Sequence, residues 1–363
     1  MLQWLKRRAL GLGLCVVLSV PAQLLGNRYR IVGGAVFAIL LGLVVGPLIA
    51  PWRGRLEAGI RVTSKKVLQW AVVLLGFGMH LGEVVKTGVQ SLPIILSTIG
   101  ISLILAWLVS RWMKIPRRTA TLVGVGSSIC GGSAIAATAP VIEADDGEVA
   151  QAISVIFLFN VLAALIFPAM GTLLGFSTVD GTAFGIFSGT AVNDTSSVTA
   201  CAASWDSMHN LGSATLDKAV TVKLTRTLAI VPIVLGLIFL KVRAVRTAGG
   251  AGAAPSARGV FPMFILYFVL ASVVTTVAFG YGPRLGMTAE AMKQWFFGPM
   301  KALAKYFIVL AMAAIGLNTN LIRLIRTGGK PLLLGAICWV GIILTSLGMQ
   351  LLLARVVGVQ GMW

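Results

Sequence analysis

The feature that most constrains this chain is a succession of apolar runs, each near the length that crosses a lipid bilayer. A hydrocarbon layer roughly 30 Å thick needs about 20 residues of helix. Eleven such runs can be drawn: 9–25, 31–50, 67–82, 92–112, 119–140, 149–175, 181–203, 215–240, 259–280, 295–317 and 331–354. Inside lipid every backbone polar group needs an internal partner, so spans are helices or closed barrels. These runs lack the two-residue alternation of barrel strands. The expected fold is therefore an all-α polytopic membrane protein with about 11 transmembrane helices. Only 11% of the 363 residues are charged, against about 25% in soluble domains, which excludes a soluble domain of ordinary surface.

The net charge of +19 does not point to nucleic acid, because the basic residues fall in short runs between apolar stretches. Lys6, Arg7 and Arg8 form one such run, followed by Arg53, Arg55, Arg61, Lys65 and Lys66. Arg111, Lys114, Arg117 and Arg118 form the next, and Lys241, Arg243, Arg246 and Arg258 another, with Arg323, Arg326 and Lys330 last. The alternate loops are poor in them and include the acidic "EADDGE" at 143–148. The positive-inside rule then places the N-terminus in the cytoplasm and the C-terminus outside. The first run follows "WLKRR" and also has the look of a signal peptide, but "VPA" at 20–22 is a poor cleavage site, and a retained first helix is expected.

The chain reads as one transmembrane domain, 1–363, in two parts. Residues 1–246 hold the polar spans and 260–363 the last helices. Between them "TAGGAGAAPSARG", 247–259, has the composition of a loose cytoplasmic hinge. An internal echo supports two halves. "GMHLGEVVKTGVQSLP" from Gly78 and "GLNTNLIRLIRTGGKP" from Gly316 each lead from a span end to a proline opening the next span. The spans they close cross in opposite directions under this topology, as in the inverted repeats of secondary transporters.

Three segments depart from a plain span. The first is "GVGSSICGGSAIAATAP", 124–140. Glycine costs roughly 1 kcal/mol against alanine in a helix interior, so Gly131-Gly132 at mid-span implies a break or very close helix packing. If the helix breaks, Ser133 is placed to cap its second half, whose positive end makes an anion site. Ser127 and Ser128 offer hydroxyls one turn earlier, with Cys130 between. The second segment, "GTAFGIFSGTAVNDTSSVTACAAS", puts Asn193, Asp194, Thr195, Ser196 and Ser197 at mid-membrane. A charge there costs about 2.5–3.5 kcal/mol on insertion scales, so Asp194 is a proton or cation carrier or the partner of a basic residue, unless the span starts later. The third, 217–243, carries Lys223 and Arg226 three residues apart on one helical face. Arg offers a planar fork suited to oxyanions and Lys a point charge; the alternative is that both snorkel outward or neutralise Asp194.

Asn160, alone in an apolar span, reads as an interhelical hydrogen-bonding group, and His80 and His209 as solvated residues at span ends. The four cysteines form no CxxC pair and, with two histidines, no metal cluster is expected. No nucleotide loop or redox motif occurs, and no cofactor is expected.

At these segments the chain resembles a known family. "SSICGGSAIAATAPVI", "ISVIFLFNVLAALIFP", "AVNDTSSVTA" and "TVKLTRTLAIVPIVL" are similar, in order, to the sulfate exporter family of bacterial membrane proteins (YeiH-like), as are "AILLGLVVG" and "LLGFGMHLGEVVKTG". That family is similar in turn to cation/proton antiporters and bile-acid symporters, which implies two inverted repeats with broken, crossing helices. The family's Cys-Gly-x-Ser-Ala-Ile stretch falls on Cys130, Gly131, Gly132, Ser133, Ala134 and Ile135, and its Lys-Leu-x-Arg pair on Lys223 and Arg226. Many members have His before the membrane Asp, where this chain has Asn193, which puts a proton relay at that pair in doubt. Spans 119–140 and 181–203 cross in the same direction and do not make a simple inverted pair.

The expected function is therefore secondary active transport of a small anion, such as sulfate or an organosulfonate, across the bacterial inner membrane by alternating access. The site would comprise Ser127, Ser128, Cys130, Gly131, Gly132, Ser133, Asn193, Asp194, Thr195, Ser196, Lys223 and Arg226. A proton or sodium is the expected coupling ion, and a homodimer is compatible with the pattern. The rival within transport is a cation/proton antiporter using Asp194. The rival outside it, an intramembrane hydrolase using Ser127 or Ser128, lacks a well-placed base, so no enzyme activity is expected.

Overall fold

A computed structural model describes residues 2–29, 34–247, 263–281, 288–319 and 321–357. The expected hinge at 247–259 lies outside the described residues but for its first. Every element among the described residues is helical. The helices are α1 (Leu2–Arg28), α2 (Gly34–Leu48), α3 (Arg53–Val62), α4 (Leu68–Gly76), α5 (Leu81–Met113), α6 (Arg117–Ser128), α7 (Gly132–Ile142), α8 (Asp146–Leu173), α9 (Thr182–Ala191) and α10 (Thr195–His209). They continue with α11 (Ala214–Thr227), α12 (Ile230–Thr247), α13 (Met263–Tyr281), α14 (Ala289–Met292), α15 (Gly298–Asn318) and α16 (Leu321–Val357).

Seven helical stretches among the described residues are long and apolar enough to span a bilayer, and an eighth arises if the bent pair Gly34–Leu48 and Ala50–Gly76 is taken as one. The difference from eleven has two physical sources. Runs 31–50 and 67–82 fall on that bent pair, whose halves meet at 78°. Runs 119–140 and 181–203 are each split into two short helices, α6/α7 and α9/α10. Both breaks fall on the residues that weaken the apolar pattern, and they shape the candidate site.

The apolar residues divide between an interior and an outer belt. Phe167, Phe184, Phe187 and Trp205 are fully buried, and Phe184 stacks on Trp205 at 4.0 Å. Leu96, Val44, Leu344 and many others point outward. A belt of large exposed apolar side chains is the surface that lipid covers. Small residues bring the interior helices close, since lipid gives them no hydrophobic drive to associate. A Cβ on Gly42 of α2 would lie 2.6 Å from the Ala313 carbonyl oxygen of α15, so only glycine permits that approach.

The two echoed segments lead into α5 and α16, and these two helices pack along each other. Cys338 Sγ donates to the Ser102 carbonyl at 3.7 Å, and Gly341 faces Leu105. α16 kinks at Gly329 (φ 48°), two residues before Pro331, whereas α5 carries Pro93 in a continuous helix.

Candidate functional site

The first break follows from Gly131. α6 ends at Ser128, and Gly131 adopts φ 69°, ψ −123°, a region that is essentially glycine-only. Its N–H returns to the Gly126 carbonyl at 3.0 Å, closing the end of α6 much as a C-terminal glycine cap does. The glycine pair divides its labour: Gly131 makes the turn and Gly132 opens α7. Ser133 does not cap α7, contrary to the expectation. Gly131 occupies the N-cap position with no side-chain cap bond, and Ser133 is the second helical residue, exposed.

The second break lies at Val192–Asp194. Asp194 is the N-cap of α10: its Oδ2 accepts from the Ser196 N–H at 3.0 Å and also from the Ser196 hydroxyl. Asp-Thr-Ser-Ser after a glycine-rich helix is a helix-start signal, which the emphasis on membrane charge alone had passed over. The two breaks touch. A Cβ on Gly131 would lie 3.6 Å from Asp194 Cβ. Asn160 of α8 joins them, its Oδ1 accepting from the Asp194 N–H at 3.1 Å, with Nδ2 beside Gly131.

Each break strands carbonyl groups at a helix C-terminus, and α11 supplies their donors. Lys223 and Arg226 share a face and are both fully buried. Lys223 Nζ donates to Ile129 O at 2.5 Å, to Val192 O at 3.2 Å and to Asn193 O. Arg226 Nε donates to Ser128 O at 2.8 Å and Nη2 to Ser127 O at 2.9 Å. Arg226 Nη1 donates to Thr190 O at 2.5 Å and to Val192 O at 3.3 Å. A helix C-terminus carries about half a negative charge. Two such ends at one point repel each other, and two buried cations hold them together. Neither cation snorkels, and neither forms an ion pair with Asp194; Asp217, on the same helix, pairs instead with Lys301 at 2.6 Å.

All twelve expected site residues lie on the two breaks or on this face of α11, but their exposure differs. Ser127, Ser128, Cys130, Gly131, Asn193, Ser196, Lys223 and Arg226 are buried. Gly132, Asp194 and Thr195 are half-buried and Ser133 is exposed. Ser128 Oγ donates to Val125 O at 3.0 Å. Ser127 Oγ and Asn193 Oδ1 are buried with no partner, one on each broken helix. Sequence reasoning missed Thr190, whose carbonyl meets Arg226 and whose hydroxyl meets Ser346 of α16 at 2.7 Å. The two histidines sit against aromatic rings, His80 at 5.1 Å from Phe279 and His209 at 4.3 Å from Trp205. Among the described residues no group of three or more His, Cys, Asp or Glu is placed to hold a metal ion.

The sequence comparisons converge. The UPF0324 membrane protein of Streptococcus mutans is 55% identical over 344 residues, covering 94% of this chain and 96% of the relative. That of a Streptococcus pyogenes serotype M6 strain is 56% identical over 348 residues, 95% and 97% of the two chains. The UPF0324 membrane protein of Fusobacterium nucleatum is 52% identical over 346 residues, 94% and 97%. No solved structure matches. The model of the family described as conserved hypothetical protein 698 matches residues 10–335, and with relatives of this similarity along almost the whole length, the chain belongs to that family, a family of multi-pass membrane proteins.

Proposed function

We propose that this protein is a secondary transporter of a small anion, of the size and charge of sulfate or an organosulfonate, working by alternating access. The reading rests on one observation: two interrupted helices touch at their breaks, with their C-terminal ends neutralised by Lys223 and Arg226. What remains is the positive end of α7, whose N-cap Gly131 has no side chain to cap it, and the start of α10. Two cations offset about one charge from the two helix C-termini and one from Asp194, and the N-termini of α7 and α10, about half a charge each, tip the centre positive. Interrupted helices whose half-helix N-termini face a mid-membrane site are how transporters hold anionic groups without lipid-exposed backbone.

In this proposal the basic pair acts from behind, fixing the backbone and supplying field, since its donors are already engaged by carbonyls. The anion meets the N–H groups that open α7, with Ser133, Thr195 and the orphan polar atoms of Ser127 and Asn193 as further contacts. Asp194 provides coupling, its protonation by a co-transported or exchanged proton strengthening the positive site. The echoed helices α5 and α16 are the proposed counterparts of two inverted repeats. Export and the identity of the oxyanion rest on the family resemblance.

A second reading has its own support. Asp194 is half-buried and bonded to Ser196 rather than to a cation, as a proton or sodium carrier in a cation/proton antiporter would be. A hydrolase has no such support, because Ser128 is tied to a backbone carbonyl and Ser127 Oγ meets no base. Reconstituted liposomes decide: flux of sulfate, sulfite or a sulfonate, absent from empty vesicles, is the expected result. Proton-coupled sodium or potassium flux without anion flux would overturn it.

A further inference from the structure

A pocket away from the helix breaks lies at the end of α5. It has a volume of about 330 Å³ and is lined by Trp107, Ser110, Arg111, Lys114, Ile115 and Arg117. Three of the six are cations and none is acidic. The Arg111 guanidinium lies over the Trp107 ring, 4.1 Å from its centre, a cation–π contact that leaves its N–H groups available. No hydrogen bond or ion pair engages the side chains of Arg111, Lys114 or Arg117 among the described residues. A fourth cation stands beside them, Lys330, whose Nζ donates to Met113 O at 3.1 Å. The charge is also placed against helix preference, since α6 opens with Arg117 and Arg118 and has no acidic residue in its first turn. Cations at the positive end of a helix are unfavourable, and a bound anion relieves that.

The surroundings identify the anion's source. Below the pocket α5 exposes Ile104, Trp107 and Leu108, and Trp112 beside it is 77% exposed. Residues 104, 108 and 111 recur at three and four positions, so they form one stripe running from apolar to basic. Exposed tryptophans beside arginines mark the boundary between hydrocarbon and headgroup, and clustered cations there attract anionic lipid. We propose that this pocket binds the phosphodiester of an anionic phospholipid, with its acyl chain along Ile104 and Leu108 and Arg111, Lys114 and Arg117 around the headgroup. The site is separate from the helix breaks and does not depend on what they transport.

The test uses the purified full-length protein in neutral detergent, with bound lipid counted by native mass spectrometry. Short-chain phosphatidylglycerol, short-chain phosphatidylcholine and inorganic phosphate are the probes. Phosphatidylglycerol is expected to saturate its tightest site at least tenfold more tightly than phosphatidylcholine, and equimolar phosphate is expected not to displace it. Arg111→Gln with Arg117→Gln is expected to weaken phosphatidylglycerol at least fivefold, while the paired Lys variants keep most of the affinity. Should the Gln pair fail to fold, the exposed Lys114→Gln alone is expected to weaken it at least twofold. Equal binding of phosphatidylcholine, or displacement by equimolar phosphate, overturns the proposal. Wild-type affinity in a folded Gln variant also overturns it.

Discussion

Lys223 and Arg226, one helical turn apart on α11, donate to the same oxygen, the carbonyl of Val192, at 3.2 and 3.3 Å. From that shared point their remaining donors diverge, reaching the end of α6 and the end of α9. The pair is the pin through both broken helices. The C-terminal ends of α6 and α9 arrive at one place, and the two cations share the carbonyls left there.

Removing the pin should therefore cost stability as well as activity. Arg226→Ala strands the carbonyls of Ser127, Ser128 and Thr190 in a buried site. Truncating one side of a buried charged interaction costs about 3–5 kcal/mol. The detergent-solubilised protein should melt well below wild type, with Arg226→Lys between them because an ammonium lacks the planar fork that serves the Ser127, Ser128 and Thr190 carbonyls together. An unchanged melting temperature in Arg226→Ala would mean that the carbonyl contacts do not hold the breaks.

The two adjacent glycines should respond oppositely to alanine. Gly131 has φ 69° and ψ −123°, and a side chain there meets Ile156 Cγ2 at 3.3 Å. Gly131→Ala should destabilise by roughly 1–3 kcal/mol, the usual cost of such backbone strain, and suppress transport. A Cβ on Gly132 meets nothing within 4 Å, so Gly132→Ala should leave folding intact. Gly132→Leu should insert normally and block transport by crowding the start of α7. Thermal melting and membrane yield separate the three variants.

How much of this was legible depended on whether a residue acts alone or through chain geometry. Apolar runs longer than a bilayer needs gave α5, α8 and α16, because hydrophobic length is a local property. Gly131-Gly132 marked the place of the first break, although two mid-span glycines also suit close helix packing. The second break was harder: Asp194 drew attention as a charge, and its role as an N-cap needed the weaker Asp-Thr-Ser signal. The engagement of Lys223 and Arg226 by backbone carbonyls was out of reach, since it depends on which helix ends meet α11 in space. Thr190 and Ser346, 156 residues apart, carry no sequence signal that pairs them.

Orientation has a direct test. The Lys and Arg asymmetry of the loops predicts that a cysteine introduced at Asp146 or near Met362 labels from outside intact cells, and that one at Gly250 does not. Labelling at Gly250 by a membrane-impermeant reagent would reverse the topology.

The last prediction separates anion from cation transport at Asp194. Its carboxylate caps α10 through Ser196, and asparagine is about as good an N-cap as aspartate. Asp194→Asn should therefore fold and melt like wild type, while Asp194→Ala loses about 0.5–2 kcal/mol with the cap. Any functional change in the Asn variant then reports charge rather than structure. If the breaks hold an anion, removing the negative charge should leave binding equal or tighter, while flux loses its coupling to a proton gradient. If Asp194 carries the cation, the same variant should lose flux entirely at every pH. Arg226→Lys supplies the complementary arm: it keeps the charge behind the site, so in the anion mechanism it should retain measurable anion binding at reduced stability. Equilibrium anion binding and liposome flux, measured for both variants, distinguish the mechanisms. Abolished flux together with unchanged melting in Asp194→Asn, and no anion binding in the wild type, would establish the carrier role and end the anion proposal.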